Sequence, residues 1–304
     1  MHKVHRQTHH DAKAPRFAAF PKSVSRPTAP EFSLAHLTLL HCAPPELIEI
    51  AAAAGYEYVS LRPIAFGQPG EPCYPLGTDH ALFGRTKAAL RATGMQLLDV
   101  ELARIYPGVD IKGYQRALES AAELGGRHVL TSIWDTTDRV FISDQFSELC
   151  DLALPLGLTV DLEFVTFASI RTLAEAAAIL RDCAYPNAGI CVDTLHFERS
   201  GCSIDELEEL PAKWFHYAQI CDGPTAYSSC EEELKRVARE DRRLLGQGGI
   251  DVRRIVAHLP HMPYSIELPN SRLLASLGPK EFARRCLTTA RSYLYESASR
   301  TANA

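Results

Sequence analysis

The chain has 304 residues, 46% of them hydrophobic and 23% charged, with a net charge of −5. Such values suit a soluble globular protein long enough to bury a core without disulfides or a structural metal. The acidic balance, the dispersed basic residues and the lack of an 18-residue apolar run argue against a nucleic-acid groove, an anionic membrane surface and a transmembrane helix.

Nine cysteines, an odd number with no CxxC spacing, read as buried thiols of a reducing, cytoplasmic compartment rather than as a disulfide framework. Residues 1–30 stand apart. They carry four histidines, six Lys/Arg, one acid (Asp11) and prolines at 15, 21, 27 and 30. This composition predicts a disordered extension, or a basic, acid-poor transit peptide without the apolar core of a secretory signal. The barrel proper is placed at residues 31–298.

From residue 32 short β-type runs alternate with Ala/Leu-rich helical runs. Phe32–Leu40 is the first predicted strand. Pro44–Ala54 follows as a helix opened by Pro and closed by Gly55. Tyr56–Pro63 is the second strand, and His80–Thr93 the next helix, closed by Gly94. Met95–Ile105, Arg127–Ile133, Leu158–Phe164, Ala188–Asp193, Trp214–Cys221 and Pro263–Leu268 are strands three to eight. Helices are predicted at Lys112–Leu124, Ser143–Leu154, Ser169–Cys183 (with Ser169 as N-cap), Ser203–Leu210, Val252–His258 and Pro279–Tyr295. Parallel neighbours need crossover connections, so this alternation implies a parallel sheet. Eight units in about 260 residues imply an α/β fold, a single (β/α)8 TIM barrel. An open doubly wound sheet is disfavoured, because Thr38–Pro45 offers no Gly-rich phosphate turn.

Barrel enzymes carry their chemistry at the C-terminal strand ends. Strand residues i and i+2 share a face. Strand five ends in Asp161 and Glu163, strand six in Cys191 and Asp193, strand seven carries Tyr217, Gln219 and Cys221, and strand eight ends in Ser265 and Glu267. Four successive strands thus offer Glu163, Asp193, Gln219 and Glu267 at one rim. Three facing carboxylates repel without a cation. Oxygen-rich ligation predicts Mg²⁺ or Mn²⁺ rather than zinc. A lone acid in any of these places would read as a solvated residue or a cap. Recurrence in four strands carries the metal reading.

His196 in VDTLHFERSG is placed in a loop past the strand, where it can orient a hydroxyl or move a proton. Arg199 is a substrate contact or a loop cap. Arg62, ending strand two, suits a carboxylate, a phosphate or a polarised carbonyl, or pairs with Glu101 of strand three. His41, Phe66 and Trp134 are candidate pocket walls. REDRRLLGQGGID (239–251) is Gly-rich and basic, and its N–H groups with Arg242 or Arg243 form a weak anion-cradle candidate.

LEF around Glu163, VDTLHFERSG, YAQICDGP around Gln219, RRLLGQGGID and SIELPN around Glu267 together resemble the xylose isomerase-like barrel superfamily, often labelled sugar phosphate isomerase/epimerase. The resemblance spans Phe32 to Tyr295. It implies one divalent ion (Mn²⁺, Mg²⁺ or Co²⁺) and two glutamates, Glu163 and Glu267, as proton donor and acceptor. Relatives commonly ligate through Glu, Asp, His and Glu. Here Gln219 stands where many have His, and His216 lies on the opposite strand face. Gln is also seen in relatives resembling 3-dehydroshikimate dehydratase, which share D-x-x-H and GQG, although LRPIAF at strand two departs from them. The expected function is a metal-dependent isomerase or epimerase of a sugar-like keto substrate, with Glu163, Glu267 and His196 catalytic and Arg62, Glu101, Arg199 and Arg243 binding substrate. Dehydration on the same site is the alternative, and a non-enzymatic sugar-binding barrel a lesser one. A His-rich multi-metal phosphodiesterase fits neither the ligands nor the charge. A small-molecule substrate, no nucleic-acid or membrane partner and a possible homo-oligomer complete the expectation.

Overall fold

The structure, a computed structural model, describes residues 29–301, so all but the last two residues of the extension predicted over residues 1–30 lie outside the described residues. Eight parallel strands close in chain order into a barrel: β1 Phe32–Leu34, β2 Tyr58–Leu61, β3 Gln96–Ile105, β4 His128–Ile133, β5 Thr159–Glu163, β6 Ala188–Asp193, β7 Ala218–Ile220 and β8 Tyr264–Ile266. Closure is the β1–β8 pairing, with Phe32, Ser33 and Leu34 opposite Tyr264, Ser265 and Ile266. Ten helical elements follow among the described residues: α1 Pro44–Ala54, α2 His80–Thr93, α3 Gln115–Glu123, α4 Arg139–Ala153, α5 Leu173–Cys183, α6 Thr194–Arg199, α7 Ile204–Glu208, α8 Glu231–Glu240, α9 Val252–Ala257 and α10 Ser271–Thr301, the last being two helices joined across a kink at the non-helical Gly278. No helix among them is long and apolar enough to cross a membrane.

Local chemistry explains where the chain turns. Helix α1 starts on Pro44 and stops at Gly55, whose φ of 93° is open to glycine at little cost. Gly94 closes α2 in the same way. Helix α5 starts later than expected. Thr172 and Glu175 form a reciprocal capping box, while Ser169 accepts from the Thr136 N–H. Helix α10 packs Phe282, Ala283, Cys286, Leu287 and Ala290 inward, an i, i+4, i+8 stripe, and Tyr56 donates to its Ala283 carbonyl.

Two elements were not foreseen. VDTLHFERSG is not a loop past the strand. Its Thr194–Arg199 stretch is helical, and the Asp193 side chain caps it by accepting from Leu195 and His196 N–H. Helix α8 escapes a search for apolar periodicity, because only Val237 and Ala238 are buried on it. Several strands are also shorter than read. β1 gives way to a 3-10 turn at His36–Leu39, and β7 keeps only Ala218–Ile220.

The barrel interior is layered. Leu98, Leu102, Leu130, Cys191 and Tyr217 form an apolar plug with Tyr58. Beside it, Ser60 links Ser33, Ser265 and Asp99 through hydroxyl contacts. A third set is built on Asp161. His216 Nδ1 lies 2.7 Å from its Oδ1, Thr159 donates to its Oδ2 at 2.6 Å, and His128 Nδ1 lies 3.7 Å from that oxygen. Gly189 makes room, since a Cβ there would overlap Asp161 and His216. Burial alone raises the Asp161 carboxyl, but His216 outweighs it and holds the acid below its ordinary value. Burial lowers His128 to about 4. All nine cysteines are free thiols, but only five are buried, and Cys73 and Cys230 are exposed rather than buried as the sequence implied.

Candidate active site

The main cavity, about 240 Å³, opens at the C-terminal rim and is lined by Arg62, Glu163, His196, Arg239, Arg242 and Glu267 among other residues. Phe66, Trp134 and Phe167 form an aromatic wall, Phe66 meeting Trp134 edge-on at 5.1 Å and Trp134 tilted against Phe167 at 6.0 Å. His41 also lines it.

The rim ends of β5, β6 and β7 and the residue after β8 bring Glu163, Asp193, Gln219 and Glu267 into buried positions. Glu163 and Glu267 face the cavity, whereas Asp193 and Gln219 lie fully buried behind it. The central feature is a residue outside the predicted ligand set. The Arg242 guanidinium is 2% exposed and sits between two of the carboxylates. Its Nη1 donates to Asp193 Oδ2 at 2.5 Å and its Nη2 pairs with Glu267 Oε2 at 2.9 Å. Nε donates to the Ala238 carbonyl at 2.8 Å, and Nη1 also reaches the Glu267 carbonyl at 3.2 Å. Arg242, not Arg243, therefore enters the site. Arg243 stays half-exposed and pairs with Asp241.

Gln219 Nε2 donates to Glu267 Oε1 at 2.9 Å, and its carbonyl oxygen faces the Cys191 thiol. The amide thus supports Glu267 in this arrangement. Ligation through its oxygen would require turning the amide over. The ligand atoms of Glu163, Asp193 and His196 all lie within 4.8 Å of one another, a second way to hold a cation that uses His196 in place of the amide.

Does a divalent ion fit? With all three ionised, Glu163, Asp193 and Glu267 around one guanidinium would carry two negative charges in excess, and in the absence of a further cation Glu163 and Glu267 are pushed toward their protonated forms. Among the described residues no donor reaches the Glu163 carboxyl, although it is only 7% exposed. A buried carboxyl with no partner, and an excess of two negative charges once all three acids ionise, fit one dication held through Glu163 with Arg242 retained.

Electrostatics follow from the same crowding. Burial, then repulsion from Glu267 and Asp193, pushes Glu163 well above the usual carboxylate range. Burial raises Glu267 to about 8 against the pull of Arg242. Burial also raises Asp193, but Arg242 and His196 overcome it and hold the group low. Burial lowers His196 to about 4, so its imidazole is neutral at pH 7. Its Nδ1 lies 3.3 Å from Thr166 Oγ1.

Arg62 reaches the cavity while paired with Glu101 at 3.0 Å and Glu71 at 3.4 Å. Glu101 is fully buried beneath it and is not on the cavity surface. Arg199 donates to the Pro224 carbonyl and stacks on Tyr227 at 3.7 Å, beside a separate small cleft. The anion cradle read from the glycine-rich loop is already filled. Asp222 accepts from the N–H groups of Gly246, Gly248 and Ile250 at 3.1, 2.8 and 2.9 Å. That carboxylate fixes the loop that delivers Arg242. The signal for both was present in the sequence as an acid one residue past Cys221 and a doubled arginine, but not their partners.

The chain is 24% identical over 225 residues to an inosose isomerase of Bacillus velezensis, an alignment covering 67% of this chain and 74% of the relative. Its fold is similar to that of IolI protein solved with a zinc atom, with a TM-score of 0.72 and 20% identity over 88% of this chain and 98% of that one. D-allulose 3-epimerase from Methylomonas sp., solved with D-allulose, gives a TM-score of 0.63 at 19% identity, covering 88% of this chain and 98% of that one. The sequence profile of the xylose isomerase-like TIM barrel family matches residues 48–287, most of the chain. By that match, on this closed eight-stranded barrel, the protein belongs to the xylose isomerase-like TIM barrel family.

Proposed function

We propose that the protein is an isomerase or epimerase that moves a proton next to the carbonyl of a small polyhydroxylated substrate. The observation that carries this reading is the pair of cavity-facing glutamates, Glu163 and Glu267, with different partners. Glu163 has no donor to stabilise its charged form, so once ionised it is the stronger base and takes the proton. Glu267 is oriented by Gln219 and Arg242 on its two oxygens and returns the proton. Neutral His196 lies close enough to Glu163 and Asp193 to share a substrate hydroxyl and relay that proton. The aromatic wall excludes water and gives a sugar or cyclitol ring an apolar face to lie on.

Glu163 and Asp193, with Glu267 and either Gln219 or His196, would hold the divalent ion, which would polarise the substrate carbonyl and keep the glutamates ionised near neutral pH. Return of the proton to the opposite face of the same carbon gives epimerisation, and return to its neighbour gives isomerisation. Loss of a β-hydroxyl after the same first step gives a dehydratase, the second reading. The curated inosose isomerase relative and the epimerase of similar fold support the first class. The test is a panel of ketohexoses, inososes and 3-dehydroshikimate in D₂O with added Mn²⁺, read by NMR. Deuterium appearing beside a carbonyl supports the proposal. A panel with no exchange and no turnover contradicts it.

A further inference from the structure

Three arginines line the cavity, and they differ in what they hold. Arg62 is committed to Glu101 and Glu71, and Arg242 to Asp193 and Glu267. Arg239, at the end of α8, makes no side-chain hydrogen bond or ion pair among the described residues. Its guanidinium lies over two rings of the wall, 5.5 Å from the centroid of Phe66 and 5.9 Å from that of Phe167. The rings pack against the guanidinium without accepting a hydrogen bond from its N–H groups.

Glu71, the acid whose charge acts most on Arg239, is saturated. Glu71 Oε1 accepts from Arg62 and the Phe66 N–H, and its Oε2 accepts from the Gly67 and Gln68 N–H groups. A carboxylate has about four lone-pair sites, and all of them are used here. Burial lowers the Arg239 pKa, with the charge of Arg62 adding to it, and the pull of Glu71 and Glu240 does not offset it.

We infer that Arg239 anchors a carboxylate of the substrate, so that the compound turned over is a polyhydroxylated keto acid and not a neutral sugar. This rests on the proton-transfer reading for the identity of the site, and adds the charge of what enters it. A planar guanidinium presents two parallel N–H groups to a carboxylate. A phosphate would call for more donors. The N–H groups of the glycine-rich loop do not supply them, since they are taken by Asp222. Arg239 and the glutamates line the same small cavity, so one compact molecule contacts the anchor and the reacting groups together.

The experiment is calorimetric binding at pH 7.5 of three probes to the wild type and to Arg239→Gln. The probes are quinate (a polyhydroxylated ring acid), its uncharged amide, and inorganic phosphate. Quinate should bind the wild type about tenfold more tightly than the amide, the scale of one charge-assisted contact. R239Q should lose that preference, keep its affinity for the amide and keep its melting temperature. Equal binding of quinate and amide, no quinate binding, or a preference that survives in R239Q overturns the assignment. Phosphate binding more tightly than quinate in an Arg239-dependent way overturns the carboxylate in favour of a phosphate. Because the readout is binding, a protein that prefers quinate yet exchanges no deuterium leaves Arg239 its role and removes only the proton-transfer reading.

Discussion

Arg242→Leu tests whether the site is organised around an internal cation. The guanidinium is 2% exposed and neutralises part of the charge of Asp193 and Glu267. It also satisfies the Ala238 and Glu267 carbonyls. Removing one partner of a buried ion pair costs about 3–5 kcal/mol. For a chain of this size each kcal/mol shifts the melting temperature by about 2 °C, so the metal-free variant should melt about 6–10 °C lower at pH 8. The loss should depend on pH. Without Arg242 the two carboxyls lie buried against Glu163 with no counter-charge, and their folded pKa values rise above the unfolded ones. A raised carboxyl lowers stability at pH above its unfolded value, and that penalty fades as pH falls toward about 4. The deficit should therefore be smaller at pH 5 than at pH 8, and excess Mn²⁺ should recover part of it. A deficit below about 2 °C, or one that is flat from pH 5 to 8, refutes the reasoning.

Asp222→Asn replaces one acceptor oxygen by an NH₂ group that faces N–H donors. Two of the four charge-assisted bonds to Gly223, Gly246, Gly248 and Ile250 are lost, at about 1.5–3 kcal/mol each. A loss of about 3–6 kcal/mol in urea unfolding checks this, and a neutral result would show the loop is held by something else. His216→Asn should be most destabilising in the acidic window. Coulombic and hydrogen-bonded contact with Asp161 outweighs the effect of burial and raises His216 above 6.5, so its stabilising charge is fully present below pH 6.5 and lost as pH rises through the folded value. Asp161 stays ionised down to below its ordinary value of 3.8. The difference between wild type and variant should thus be larger at pH 5.5 than at pH 9, and the opposite order would exclude the pair as its source.

Much of the barrel was legible because its elements are either strongly periodic or bounded by Gly and Pro. Pro44–Ala54, His80–Thr93 and Ala188–Asp193 emerge with the bounds the sequence implied. Helix α8 did not, because a helix that buries little has no apolar stripe to read. Its absence hid both Arg239 and the approach of Arg242. The alternation of strand faces placed Glu163, Asp193, Gln219 and Glu267 near one another, while His216 pairs with Asp161. It carries no information about which nearby cation or amide each acid holds. The choice between Arg242 and Arg243 depended on a non-local partner, Asp193, forty-nine residues earlier. The Asp222 carboxylate in the glycine-rich loop was invisible for the same reason.

The most direct test of proton transfer by the two glutamates is solvent deuterium exchange by Glu163→Gln and Glu267→Gln, with the compound that the wild type exchanges. Each replacement keeps the size of the side chain and removes its capacity to take a proton. The account predicts that exchange disappears in E163Q and falls by at least about 100-fold in E267Q, the scale of one general acid–base group. Exchange at the wild-type rate in both variants contradicts it.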